Sequence, residues 1–563
     1  MGGAKIWDSV PGGDFDEEHD LKDLPSWFLD GTHPVPAWEP FMGWLWCRPL
    51  MGAMKCSSLK ACIPTCIAWE VHLYKGRNYI SMAIVRDPKE IKRREIKFKE
   101  AMRPYIEDFN GWWDSAKDEL MTAFKRIKSV DVDTVPLNEL YHHFRDCIDT
   151  YLRMWELHFD GMYGAYNTWV LLENLCKERF GITDQSPEFQ KMMIGFDTKI
   201  FQVDKRMWQL GQDAIKKGLA DIFMTTEARQ VIPKLEQTET GREWLKELRE
   251  FLNEDGWRME RLASVSDPTW IEDPTPAIAN IKGFIAKGGS FALDETRERL
   301  TREREEAVAA MMKRVPEDEK EWFRALIRSA QRAGSYSEEH TYYCEYYCHA
   351  LIRRCLLAIG RRFVQAGSFD RVDDIFFLNP EEIDSFMHIP EVHDLRWIVN
   401  RRRQEWEAWK EEEVPPVFTV RGSFEEAVAM DLLPSMDPIA IKTVLGEMPE
   451  VRPELKADIY GLRGAPGVAE GSARVVVSLE QVHEIQPGEI LVAPTTSTSW
   501  TPAFHLVAGM VVDHGGTLGH SAIVARELAI PAVVNTFVGT AKIKTGQRIR
   551  VNGDEGTVYI LDS

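Results

Sequence analysis

The residues best suited to carry out chemistry lie near the end of the chain, in Asp513-His514-Gly515-Gly516-Thr517-Leu518-Gly519-His520-Ser521-Ala522-Ile523-Val524-Ala525-Arg526-Glu527. A neutral histidine nitrogen is a nucleophile, and an ordinary pKa of roughly 6.5 leaves much of it neutral near pH 7. Three glycines precede His520 and an Ala-rich run of good helix formers follows it, so His520 falls where a helix begins. Free N–H groups at such an end, with glycines beside them, form a site for phosphate or another anion. The dipole there favours the neutral imidazole and then its anionic phosphorylated form. An imidazole so placed can carry a phosphoryl group. His514 is the weaker rival, one loop too early.

The histidine has to be held by a strand, a tight loop and a helix. The β-branched run ending at Val512 reads as a buried strand that delivers the chain into the glycine turn. Further short strands are expected at Val475 to Val477, Glu489 to Ala493, Gly509 to Val512, Ala532 to Val534, Arg548 to Val551 and Thr557 to Leu561, with Asn552-Gly553 at the last turn. Residues 460–563 therefore read as an α/β domain.

A lone Gly-x-His is more often a structural helix start, but here a longer pattern is present. Gly515-Gly516-Thr517, His520, Ala522, Ala525-Arg526-Glu527 and Ile530-Pro531-Ala532-Val533-Val534 resemble the mobile phosphohistidine domain of the phosphoenolpyruvate-utilising family. That family includes phosphoenolpyruvate synthase, pyruvate phosphate dikinase, rifampicin phosphotransferase and phenylphosphate synthase. Gly464-Ala465-Pro466-Gly467 with Gly471, Ile490-Leu491-Val492-Ala493-Pro494 and Trp500-Thr501-Pro502 look like its earlier signatures. The resemblance implies a swivelling domain in which His520 is phosphorylated and Gly515, Gly516, Thr517, Gly519 and Arg526 position the phosphate.

Before this domain the pattern is mainly helical. Apolar residues recur at three- and four-residue spacing over Ile91 to Phe109, Trp112 to Val130 and Leu137 through Leu175. Residues 1–104 read as an N-terminal Trp- and Met-rich segment with short strands, Tyr74-Lys75-Gly76-Arg77-Asn78-Tyr79 as its hairpin turn, and the first 35 residues as irregular. Residues 105–415 read as a helical acceptor-binding body, and the Pro-rich stretch 416–459 as a tether. Trp155 to Tyr163, and Gly360-Arg361-Arg362-Phe363-Val364 with Asp373-Asp374-Ile375-Phe376-Phe377-Leu378, resemble helical segments of the phosphotransferase members. Ser337-Glu338-Glu339-His340 departs from them, standing where an Arg-Glu pair followed by a basic residue is usual. The candidate acceptor-binding residues are His158, His340, Tyr342 and Tyr343, with Trp44 and Trp46 as further walls and His158 as a candidate base.

A formal net charge of −20 argues against nucleic acid or an anionic membrane as partner. No stretch approaches the about 20 apolar residues of a membrane span, and a cytoplasmic location is expected. The nine cysteines show no paired Cys-x-x-Cys spacing, so they read as reduced structural thiols, and no metal site is expected in this chain. No segment resembles the ATP-grasp domain that charges the histidine in the family. The organisation resembles the phosphohistidine-bearing subunit of phenylphosphate synthase, which implies that a separate ATP-grasp subunit handles ATP and Mg²⁺. The expected function is an ATP-dependent dikinase-type phosphotransferase acting on a small hydroxylated acceptor, with phenols among the candidates. The alternatives are a phosphoenolpyruvate-dependent subunit and a non-catalytic phosphocarrier.

Overall fold

In the computed structural model, residues 14–30, 37–287, 293–435, 437–477, 479–496 and 500–561 are described. Gly288 and Gly289, which read from sequence as a break, and Gly2, Gly3, Gly12 and Gly13 of the stretch read as irregular lie outside them.

The helical periodicity produces two very long helices, Pro88–Lys128 and Leu137–Phe180, which pack against Lys320–His340 and His349–Ala366. The first is broken at Asp108 (φ −155°, ψ 71°), one residue before the end of the first of the two stretches read as separate helices. The Asp108 carboxylate accepts the Gly111 N–H at 2.9 Å and restarts the helix. The boundary drawn at residue 104 falls inside this first helix. Between the last two helices, Thr341–Cys348 forms a π-helical stretch with one extra residue per turn, and Gly367 ends the run in the left-handed conformation (φ 81°).

A four-stranded antiparallel sheet caps one side of this body. Its strands are β1 (Ser26–Leu29), β2 (Cys66–Tyr74), β3 (Arg77–Ile84) and β4 (Val417–Thr419), in the order β2-β3-β1-β4. Lys75 and Gly76 both have positive φ, the two-residue turn expected between β2 and β3. Two expectations are corrected here. Residues 14–30 are not irregular: Asp16 caps the helix Glu17–Asp23, and β1 buries Trp27 and Phe28 inside the sheet. Acidic residues hid this short amphipathic unit. Nor is 416–445 a loose tether. Strand β4 pairs with β1, and Asp431 is bonded to Ser26, Arg86 and Arg421. Buried Asp437 accepts from Trp69 and Tyr163. The segment left to act as a link is 446–458, opening on Gly446 with φ +70°.

The C-terminal domain is an eight-stranded mixed sheet of β5 (Ile459–Tyr460), β6 (Leu462–Ala465), β7 (Val468–Val475), β8 (Ile490–Ala493), β9 (Gly509–Val512), β10 (Ala532–Val534), β11 (Arg548–Asn552) and β12 (Thr557–Ile560), in the order β5-β12-β11-β7-β8-β9-β10-β6. Strands β7 to β10 are parallel. Leu491, Met510 and Val512 face one core, beneath the helix His520–Glu527, and Ile490, Val492 and Val511 face the other. Burial on both faces is why these strands read as continuous apolar runs. β7 extends seven residues upstream of the strand expected at 475–477, because its polar alternation carries no apolar signal. Among the described residues, no helix is long and apolar enough to cross a membrane.

Candidate functional site

His520 is the first residue of the helix His520–Glu527, after Gly519 in extended conformation (φ −70°, ψ 152°). The helix points this residue at the helical body. There His520 Nδ1 lies 3.0 Å from Glu338 Oε1, and the two side chains are 14% and 4% exposed. A carboxylate can only accept, so Nδ1 holds a proton, and in the neutral ring Nε2 carries the lone pair. His520 Nε2 and Glu338 Oε2 are both buried with no hydrogen-bond partner among the described residues. Such orphaned atoms are costly in a structural contact and expected where a reaction takes place. His514 is exposed, beside the ring of Phe537.

The glycine loop does something other than wait for phosphate in this arrangement. Gly516 N–H donates to the Thr443 carbonyl at 2.9 Å, Leu518 N–H to the Lys442 carbonyl at 2.7 Å, and Thr517 Oγ1 to Asp184 Oδ2 at 2.9 Å. A Cβ at Gly516 would sit 2.4 Å from the Lys442 carbonyl oxygen, so only glycine permits this approach. Leu518 enters the core of the helical body, a burial worth about 1.5–3 kcal/mol. Gly515 takes φ +118°, and Gly519 N–H turns back to Gly516. Arg526 is buried and donates to the Gly464 and Thr517 carbonyls. Burial pushes its guanidinium down to about 10. It therefore braces the loop from within instead of reaching toward an anion.

Further along the same interface, Lys442 Nζ sits 2.7 Å from each of Glu173, Asp184 and Glu447. Phe196 N–H donates to Glu527 at 2.8 Å, and His505 Nε2 lies 3.3 Å from Asp204.

Of the six acceptor-binding candidates, the fold brings two together. The rings of His158 and His340 are 4.5 Å apart, and both Nε2 atoms face Glu345 Oε1, at 3.2 and 3.7 Å. Trp46 reaches this pair through Trp155, whose ring is 4.7 Å from His158. The other three point elsewhere. Tyr342 bonds to Asp255, Tyr343 packs on Tyr342, and Trp44 donates to Glu381 in the helix Pro380–Phe386. Sequence reasoning kept Glu338 only as an acceptor-side candidate, without pairing it with His520, and did not single out Glu345, Asp184 or Lys442. Acidic residues in the aromatic stretch Tyr336 to Tyr347 were the available signal, since buried carboxylates on an apolar helix need a reason.

Among the described residues, three groups have donor atoms close enough to hold a metal ion: His143, Cys147 and Cys355; His158, His340 and Glu345; and Glu173, Asp184 and Glu447. The all-oxygen group would suit Mg²⁺ by ligand type, but the Lys442 ammonium already fills it. All nine cysteines are free thiols.

Comparison with known proteins places this geometry in context. Residues 158–338 match the family described as rifampicin phosphotransferase fourth domain, and residues 485–556 match PEP-utilising enzyme, mobile domain. The first match ends at Glu338 and the second contains His520, so the contact joins the two. A chondramide synthase of Chondromyces crocatus is 28% identical over 84% of this chain and 12% of its own length. An uncharacterised phosphotransferase of Bacillus subtilis is 26% identical over 73% of this chain and 48% of its own. The rifampicin phosphotransferase of B. subtilis is 28% identical over 55% of this chain and 34% of its own. This chain thus spans less than half the length of these relatives. It resembles rifampicin phosphotransferase, and its C-terminal sheet domain carries the PEP-utilising mobile domain.

Proposed function

We propose that this chain is the phosphohistidine-bearing, acceptor-side part of a phosphotransferase of the PEP-utilising type, passing a phosphoryl group from His520 to a small hydroxylated molecule, with phenols the first class to test. The observation that carries this reading is the His520–Glu338 contact, which fixes the proton on Nδ1 and leaves a buried nucleophilic Nε2 at the boundary of the two domains. ATP, handled with Mg²⁺ by a separate ATP-grasp subunit, supplies the phosphoryl group. The oxygen cluster that would suit Mg²⁺ here is filled by Lys442, which supports handling of the metal elsewhere.

In the closed arrangement Nε2 is shut away from solvent, so charging requires the C-terminal domain to leave Glu338. The link 446–458 reaches roughly 45 Å when fully extended. Tethering makes the return encounter intramolecular, at an effective concentration of order millimolar. On return, Glu338 again holds the Nδ1 proton and orients the ring. The acceptor oxygen attacks phosphorus, the P–Nε2 bond breaks with its electron pair going to Nε2, and Glu338 Oε2 is placed to take the acceptor's proton.

Rapid-quench labelling with Mg²⁺ and labelled ATP tests this. The chain alone should stay unlabelled. With an ATP-grasp partner it should acquire acid-labile, base-stable label on His520 that an acceptor phenol or alcohol discharges. Efficient self-labelling would end the separate-subunit part of the proposal, and label on another residue would end the assignment of His520.

A further inference from the structure

We propose that His158, His340 and Glu345 bind one divalent transition-metal ion of the zinc class. The metal binding itself does not depend on the phosphotransferase reading.

The three donors come from different elements: the helix Leu137–Phe180, the last residue of Lys320–His340, and the π-helical stretch Thr341–Cys348. Single π turns inside α-helices recur at functional sites. The three ligand atoms lie within 4.8 Å of one another, with both imidazole Nε2 atoms at 3.2 and 3.7 Å from the same carboxylate oxygen. Four ligands held tetrahedrally at about 2.0–2.2 Å from a zinc ion stand about 3.3–3.6 Å apart. The two imidazole–carboxylate distances straddle that spacing and the imidazole pair lies within 4.8 Å, so a metal fits once the side chains adjust.

The proton on His340 makes the case stronger. Its Nδ1 lies 2.9 Å from the Tyr336 carbonyl oxygen, which can only accept, so Nδ1 holds the proton. The Nε2 atom, carrying the lone pair of a neutral ring, is then the one turned toward Glu345. A ligating histidine usually gives its outer N–H to a carbonyl or carboxylate, as His340 does, whereas His158 Nδ1 has no partner among the described residues. Trp155, Phe159 and Tyr336 pack on the two imidazoles and keep the group dry, with all three ligand side chains no more than 7% exposed.

Two imidazoles and one carboxylate suit Zn²⁺ and its neighbours and are poor ligands for Mg²⁺, which demands oxygen. Three protein ligands leave a fourth position for an oxygen donor, the arrangement of catalytic more than structural zinc. That the oxygen belongs to the acceptor hydroxyl does rest on the function proposed above. A metal would make such a hydroxyl more acidic and more nucleophilic.

The test uses the full chain stripped with a chelator and titrated with Co²⁺. One equivalent should bind, giving tetrahedral or five-coordinate d–d bands without thiolate charge-transfer absorption. Glu345→Gln and His340→Gln should each weaken binding at least tenfold with unchanged far-UV circular dichroism. Cys147→Ser and His520→Ala should bind as the parent does, so loss of the His520 assignment and loss of the metal site read out separately. Failure of the parent chain to bind stoichiometric Co²⁺ or Zn²⁺ would overturn the proposal. So would binding that survives both ligand substitutions, or a charge-transfer band abolished by Cys147→Ser. Should Glu345→Gln fail to fold, His340→Gln and the parent spectrum decide.

Discussion

Two buried polar clusters lie where the C-terminal domain meets the helical body, and they are built differently. At Lys442 one ammonium meets three carboxylates at 2.7 Å each, and Thr517 adds a hydrogen bond to Asp184. Burial works against the Lys442 ammonium, but Asp184, Glu173 and Glu447 together hold it charged well above the usual lysine range. Burial likewise opposes the Asp184 carboxylate, and Lys442 with Thr517 holds it below its ordinary value. At His520 a single hydrogen bond links two side chains, and each keeps one buried atom without a partner among the described residues. The saturated contact is a latch. The unsaturated one is where the capacity for a further bond is held in reserve.

If that contrast is right, substitutions at the two contacts should separate activity from stability. The largest effect is expected for His520→Ala, which should reduce phosphoryl transfer to background in a labelling assay while its melting temperature stays near that of the parent. His514→Ala should keep most activity. Glu338→Gln should slow discharge to acceptor by about 10²–10⁴-fold, the usual span for a lost acid–base group, and cost little stability. If discharge is unaffected, Glu338 is only a docking residue.

Lys442→Met should reverse the pattern. Removing the cation leaves buried carboxylates uncompensated, at about 3–5 kcal/mol in a denaturant titration. Loading of His520 should persist, because the loading position lies away from this contact. A variant as stable as the parent would show that the latch carries no load.

The smallest effect concerns pH. Burial, and then the neighbouring Asp184 charge, push Glu173 up to about 7 from an ordinary 4.5. Between those values the folded protein holds a proton that the unfolded chain has released. Its contribution is therefore complete below pH 4.5, declines as pH rises and is lost above pH 7. A displacement of that size corresponds to about 3 kcal/mol at most. Glu173→Gln should flatten this decline in melting temperature between pH 5 and 8. An unchanged slope would mean that Lys442 keeps Glu173 ionised throughout.

How much of this was legible beforehand depended on how local each signal was. His520 could be found because the glycines before it, the strand ending at Val512 and the helix formers after it are neighbours in sequence. The long helices and the β2–β3 turn were legible for the same reason. Glu338 was visible as a residue but not as a partner, because it meets His520 across 182 positions. The supposed tether misled because proline and charge look alike in a loop and in a packed segment whose charges are paired, as Asp431 and Lys442 are.

The order of residues alone settles which nitrogen-bearing side chain begins a helix, where apolar faces recur and which short strands are buried on both sides. Periodicity and turn chemistry act over a few residues and leave a local trace. Tertiary packing alone decides that the glycine loop is closed by the carbonyls of 442 and 443, that Arg526 braces it, and that His158 and His340 converge on Glu345. Those pairings come from helices and loops brought together to bury apolar surface. The hydrophobic drive that does so is non-directional, and no spacing in the chain records which polar groups it leaves face to face.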